Sequence, residues 1–133
     1  MRKGGKLNIA QYATSVQHIG LPTKDMDASI QFYTGLGFEN IYETRNDGAR
    51  VVFLKLRNLV IEIWEAAATG VSGSIDHIAI DVTDIEEVFR IVTSSGLTTI
   101  EEKICDLPLW ERGVRFFTVS GPNVEKLEFI QRL

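Results

Sequence analysis

The chain has two histidines, His18 and His77, and they occupy the same place in an internal repeat. Superposing Gln17-His18-Ile19-Gly20-Leu21 on Asp76-His77-Ile78-Ala79-Ile80 at a constant offset (77 − 18 = 59) also brings Asp25 onto Asp84, Met26 onto Ile85 and Gly37 onto Gly96. Each copy reads as strand, acidic helix cap, helix and terminal glycine, and a repeat of this kind fixes architecture. Neutral imidazoles are metal ligands. Strand alternation brings two carboxylates to the same side. In Leu59-Val60-Ile61-Glu62-Ile63-Trp64 the apolar Leu59, Ile61 and Ile63 form one face, which turns Glu62 to the other face beside Trp64; Glu128 falls likewise between Leu127 and Phe129. His18 shares its face with Gly20, and His77 with Ala79, residues too small to crowd a ligand. The four candidate ligands, His18, Glu62, His77 and Glu128, are expected to converge on one surface. Two imidazoles with two carboxylates suit a divalent transition ion such as zinc, nickel, cobalt, iron or manganese, and a metal removes the cost of burying Glu62 in an apolar strand.

The elements that must position these residues follow from pattern. Val16 to Leu21 alternates as a strand, Pro22 and Thr23 lead to Asp25 as helix N-cap, and Met26, Ile30 and Tyr33 keep helical spacing until Gly35 and Gly37. Strands are predicted at Phe38 to Thr44, Val51 to Leu56 and Leu59 to Glu65, with turns at Asn46-Asp47-Gly48 and Arg57-Asn58. The small, aperiodic stretch Ala66 to Ser74 is a connector. The order then repeats: strand Ile75 to Val82, a helix capped by Asp84 and carrying Ile85, Val88, Phe89 and Val92, then strands at Leu97 to Ile104, Val114 to Val119 and Glu125 to Ile130. The last strands align at a larger offset (128 − 62 = 66), so the extra residues fall most simply in a loop from Cys105 to Gly113. The fold class is α+β, two βαβββ modules forming a curved mixed sheet around a metal-binding cavity: an N-terminal arm over 1–15, then a single domain over 16–133 with module one at 16–65, connector at 66–74 and module two at 75–133.

Composition bounds the function. At 133 residues, 44% hydrophobic and 24% charged, the chain is one globular domain, large enough for a shared core. The net charge of −4 carries no basic block, which excludes a phosphate-tracking surface for nucleic acid. No apolar run approaches the ~20 residues of a membrane span. One cysteine, Cys105, makes no intramolecular disulfide, and no signal-peptide pattern opens the sequence, so a cytoplasmic location is expected. Cys105 reads as packing rather than a reactive thiol. Trp64 and Trp110 are candidates to line an apolar substrate pocket, and Arg112 and Arg115 to grip a substrate carboxylate or phosphate through their guanidinium forks.

His18-Ile19-Gly20-Leu21, Phe32-Tyr33-Thr34-Gly35-Leu36-Gly37-Phe38, Ile61-Glu62-Ile63, His77-Ile78-Ala79 and Gly121-Pro122-Asn123 followed by Leu127-Glu128-Phe129 resemble the vicinal oxygen chelate superfamily, which includes glyoxalase I, extradiol dioxygenases, methylmalonyl-CoA epimerase and fosfomycin- and bleomycin-resistance proteins. The resemblance covers Val16 to the C-terminus. It implies metal ligation by His18, Glu62, His77 and Glu128, an order closest to bacterial glyoxalase I, and a homodimer with sites within one chain or between two. It further implies a metal-dependent lyase or isomerase, lactoylglutathione-lyase-like with the thiol carrier open, acting on a small substrate with adjacent oxygens. Glu128 is the first choice as base and Glu62 the second. The alternatives are an epimerase, a ring-cleaving dioxygenase, or a non-catalytic protein that binds an antibiotic or other small molecule. One departure stands out: Gly121 and Val124 occupy places where these proteins often have aspartate and glycine, so that turn must be built differently.

Overall fold

The computed structural model describes residue 14, residues 16–67, 70 and 73, and residues 75–133. The arm expected over 1–15 and much of the 66–74 connector lie outside the described residues. Module one runs β1 (Ile19–Thr23), α1 (Met26–Gly35), β2 (Glu39–Asn46), β3 (Ala49–Leu56) and β4 (Leu59–Glu65). Module two runs β5 (His77–Asp81), α2 (Ile85–Ser94), β6 (Cys105–Leu107), β7 (Val114–Ser120) and β8 (Lys126–Arg132). Each module folds into its own four-stranded mixed sheet, ordered β1-β4-β3-β2 and β5-β8-β7-β6, and the two sheets do not close on each other. The fold is therefore α+β with paired βαβββ modules, as the repeat predicts.

Both helices start where an aspartate can cap them. Asp25 accepts from Ala28 N and Asp84 from Glu87 N, which satisfies a backbone donor that the first turn leaves free. Each helix lays its buried stripe on the sheet face that carries the odd-numbered residues of β4 and β8, and Ile61, Ile63, Leu127 and Phe129 join Met26, Tyr33, Ile85 and Val92 in one core cluster spanning both modules. That shared core fixes which way the remaining faces look. No helix among the described residues is long and apolar enough to cross a membrane.

Two boundaries differ from expectation for physical reasons. β1 continues through Pro22 instead of turning there, which an edge strand allows because its outer N–H needs no partner. The strand expected at Leu97 to Ile104 does not form; only Thr99 bridges to Val119. The Glu101 carboxylate takes the Thr118 backbone N–H at 2.6 Å and the Thr118 hydroxyl at 3.2 Å, so a side chain occupies the place of a neighbouring strand's carbonyl. The edge strand re-forms at Cys105–Leu107, inside the segment expected to be loop.

Candidate metal centre

In both modules the first strand runs parallel to the last in the same register. Gly20 pairs with Glu62, and Ala79 with Glu128, so each histidine lies two residues before a small residue that faces a carboxylate. His77 Nε2 stands 2.8 Å from Glu128 Oε2, and His18 Nε2 stands 3.7 Å from Glu62 Oε1. The other ring nitrogen is occupied in each case by the preceding side chain: His18 Nδ1 lies 2.9 Å from Gln17 Oε1 and His77 Nδ1 lies 2.9 Å from Asp76 Oδ2. Lys126 Nζ completes the second arrangement at 3.0 Å from Asp76. The hydrogen bond from His77, then Lys126, holds the Asp76 carboxyl below its ordinary value.

This arrangement fits a cation. A carboxylate only accepts, so Asp76 takes the proton on His77 Nδ1, and Nε2 faces Glu128 as an N–H donor in the imidazolium or as a lone pair in the neutral ring, the form that binds metal. In the neutral form two acceptors at 2.8 Å repel unless a positive centre lies beside both, and a histidine whose outer N–H is fixed by a neighbouring acceptor is the usual form of a metal-bound imidazole. Donors held ~2.0–2.2 Å from one tetrahedral ion stand about 3.4 Å apart, a separation between the 2.8 Å of the pair in module two and the 3.7 Å of the pair in module one.

The four candidates nevertheless do not converge within one chain. Among the described residues no three His, Cys, Asp or Glu side chains group to hold a metal; each module holds its own His–Glu pair. The pairs also differ in surroundings. In module one, Phe53 lies opposite Glu62, its ring edge-on to His18 at 5.6 Å and 6.0 Å from the exposed ring of Tyr42. Trp64 lies across Gly20, where a Cβ would stand 2.8 Å from the indole. In module two the residue opposite Glu128 is Thr118, already bound by Glu101.

The other sequence candidates separate. Trp64 borders the first pair. Trp110 sits at 68% exposure on the β6–β7 loop, its ring 4.3 Å from the Arg132 guanidinium. Arg112 lines an open groove of about 490 Å³ formed by that loop. Arg115 lies on the opposite face of β7 from Thr118, paired with Glu86 at 3.0 Å and Asp106 at 3.5 Å, and so points away from both His–Glu pairs. Sequence reasoning missed Arg132, although alternation from Glu128 marks it, and missed the join between modules. There Asn123 Nδ2 donates to Thr23 Oγ1 at 2.9 Å and Ser29 Oγ at 3.3 Å, while the buried Tyr33 hydroxyl donates to Glu125 at 2.9 Å. Burial, reinforced by Glu125, pushes the Tyr33 phenol far above its ordinary value. The divergent turn is built by folding Glu125 against Gly121, where any Cβ would lie 2.5 Å from its carboxyl carbon, and by placing Val124 at φ 65°.

Residues 15–125 match the family described as Glyoxalase/Bleomycin resistance protein/Dioxygenase superfamily. The chain belongs to this superfamily. Among its relatives, YwbC of Bacillus subtilis (strain 168) is 28% identical over 128 residues, covering 90% of this chain and 99% of that protein. The glyoxalase family protein from Enterococcus faecalis superposes with a TM-score of 0.75 at 23% identity, over 90% of this chain and 98% of that one. The fosfomycin resistance protein FosX from Listeria monocytogenes, in complex with Mn(II) and sulfate, superposes with a TM-score of 0.72 at 17% identity, over 91% and 94% of the two chains.

Proposed function

We propose that the protein is a metal-dependent enzyme of glyoxalase type, a lyase or isomerase acting on a small substrate with two adjacent oxygens. The duplicated His–Glu pair, in one register and with each histidine's outer nitrogen already engaged, is the observation that carries this reading. Mn(II) in the related fold of FosX supports a divalent ion. His18 and Glu62 would hold it from one side, His77 and Glu128 from the other. Because each module supplies one pair, two copies of the chain would complete a site between them, module one of one copy facing module two of the other. A homodimer follows from the same reasoning. Retention of both carboxylates argues against the dioxygenase alternative.

When bound, the ion supplies Lewis-acid charge to the substrate's paired oxygens. The protein's own part is proton handling. Glu128, 11% exposed in its side chain, takes a carbon-bound proton at Oε2 and returns it to the neighbouring carbon, while His77 stays oriented by Asp76. Trp64, Phe53 and Tyr42 hold the substrate's apolar part and exclude water from Glu62. The aromatic lining also suits a second reading, sequestration of a small apolar molecule without turnover; a tightly bound ligand that is never converted would favour it.

Mixing two dead variants tests the reading. His18→Ala and His77→Ala should each lose stoichiometric metal while staying folded, since both residues project away from the core. Mixed dimers should regain one intact site, because the wild-type module one of the His77→Ala chain meets the wild-type module two of the His18→Ala chain. Undiminished metal in both single variants would refute the ligand assignment, and lost metal with no recovery on mixing would place each site within one chain.

A further inference from the structure

Alternation along β8 is unbroken against β7 from the Val114–Arg132 pair to the Ser120–Lys126 pair. Glu128, Ile130 and Arg132 therefore share the open face, whereas Gln131 turns to the helix side and accepts from Ile85 N at 2.9 Å. Above Arg132 lies Trp110, its ring centroid 4.3 Å from the guanidinium carbon. That indole is 68% exposed and its backbone sits at φ 61°, a left-handed conformation that strains an L residue. Core packing does not account for holding an exposed tryptophan there; the stack on Arg132 is its contact. Stacking fixes the guanidinium plane and leaves its N–H fork open, the arrangement that receives a planar or tetrahedral oxyanion. Three arginines are matched by carboxylates, Arg50 with Asp27 and Glu43, Arg90 with Glu87 and Arg115 with Glu86 and Asp106; Arg45, Arg57 and Arg112 have no carboxylate partner among the described residues, and Arg132 differs from them in its stack on an indole. Among the described residues no carboxylate pairs with Arg132.

Arg132 lies four residue steps along the strand from Glu128, on the order of 13 Å between their backbones, and the surface between them is apolar, formed by Ile130 and its cross-strand partner Phe116. We propose that Arg132, oriented by Trp110, is the specificity residue of this face and takes the carboxylate or phosphonate end of a small organic ligand. The ligand's middle is apolar and its other end lies at Glu128. The position of that far end rests on the function proposed above; recognition of the anion by Arg132 does not.

Calorimetric titration separates the two. Chelator-treated protein is titrated with 4-phenylbutyrate, its methyl ester and 3-phenylpropylphosphonate, and the series is repeated with Mn(II) present. The metal-free wild type should bind at least one acid roughly 10-fold or more tightly than the ester, as a lost charge-assisted fork would predict, and the tighter of the two acids identifies the anion. Arg132→Gln should erase the discrimination, Arg132→Lys should keep part of it, and Trp110→Ala should weaken it several-fold. Arg90→Gln on α2 serves as the control and should change nothing. Equal affinity of the wild type for acids and ester overturns the proposal, as does discrimination that survives Arg132→Gln. Acid binding that appears only with Mn(II) and ignores Arg132 overturns it too, by assigning the anion to the metal. If Mn(II) fails to bind while the Arg132-dependent preference persists, the metal-enzyme reading falls and this one stands.

Discussion

The two halves of the candidate centre share a register and differ in almost everything around it. Module one sets His18 and Glu62 3.7 Å apart among Phe53, Tyr42 and Trp64, with neutral Gln17 behind the imidazole. Module two sets His77 and Glu128 2.8 Å apart, with charged Asp76 and Lys126 behind the imidazole and Thr118 fixed by Glu101 opposite the carboxylate. The same division runs through the helices. At the repeat offset of 59, Thr23, Ser29 and Tyr33 of module one become Val82, Val88 and Val92 in module two. The first three bond to Asn123 and Glu125 in the β7–β8 turn, and the valines simply pack. The repeat keeps the register of each His–Glu pair while the surroundings differ: apolar contact and a polar latch in module one, charge in module two.

That contrast is broken most severely at the carboxylates. Glu128 has the more buried side chain, at 11% exposure against 28% for Glu62, and lies against the more strongly oriented histidine. Glu128→Gln should lower turnover of 2-oxoaldehyde–thiol adducts by roughly 10²- to 10⁴-fold, the range for a positioned acid–base group, while keeping most of the metal. Glu62→Gln should cost less in turnover than in affinity for substrate. The comparison of kcat and KM in the two variants decides it; an equal loss in both would mean that the halves are interchangeable.

The latch comes next. Tyr33→Phe leaves a carboxylate oxygen of Glu125 without its donor, a loss of about 1–3 kcal/mol that chemical denaturation would register; Val92→Ala has no polar partner to lose and should behave as an ordinary cavity. The sign of the pH effect follows from the raised phenol pKa. Above the ordinary value of 10.0 the unfolded chain ionises Tyr33 and the folded chain does not. The contribution is therefore complete below pH 10.0 and drains as pH rises, by about 1.4 kcal/mol per pH unit. In Tyr33→Phe this share of the alkaline slope should vanish. A slope unchanged by the substitution would show that the phenol ionises freely in the folded state.

Gly20 and Ala79 sharpen the contrast at the small residues. A methyl on Gly20 meets the Trp64 ring at 2.8 Å, so Gly20→Ala must displace the indole, at a cost of about 1–3 kcal/mol for overpacking. It should also weaken binding of apolar ligands. Ala79→Gly, with Ile130 in place of the tryptophan at the equivalent strand position, should cost only the roughly 0.5–1 kcal/mol of a glycine in a strand. If both substitutions shift the melting temperature alike, Trp64 does not depend on Gly20.

How much of this was legible in the sequence depends on whether a local pattern or a distant partner decided it. His18, Glu62, His77 and Glu128 reach their faces by period-two alternation, and Asp25 and Asp84 cap their helices by local chemistry, so both were readable. The expected strand at Leu97 to Ile104 failed because Glu101 bonds to Thr118, and nothing in the local pattern announces a carboxylate replacing a strand's carbonyl. Arg115 was a candidate to grip a substrate carboxylate or phosphate because of its guanidinium fork; in the structure that fork is paired with Glu86 and Asp106, from elements distant in sequence. The convergence of all four ligands was expected from a shared face, yet alternation fixes a face within each sheet and says nothing about how two sheets are placed.

The smallest expected effect lies in the turn that has no glycine where its superfamily relatives often have one. Val124 sits at φ 65°, where the branched side chain of an L residue costs about 1–2 kcal/mol. Glycine there removes the clash and adds roughly 0.5–1 kcal/mol of unfolded-state entropy, so Val124→Gly should stabilise the protein by about 0.5–1 kcal/mol, a rise of a few degrees in melting temperature. The side chain is 43% exposed, so little burial is lost in exchange. Module one supplies the comparison at its own equivalent turn, where Arg57 holds φ 56°. Arg57→Gly should stabilise less, because an unbranched side chain tolerates the left-handed region better than valine does. An equal gain at both turns would show that backbone φ alone sets the strain, and a loss at Val124 would show that the valine's packing in the turn outweighs it.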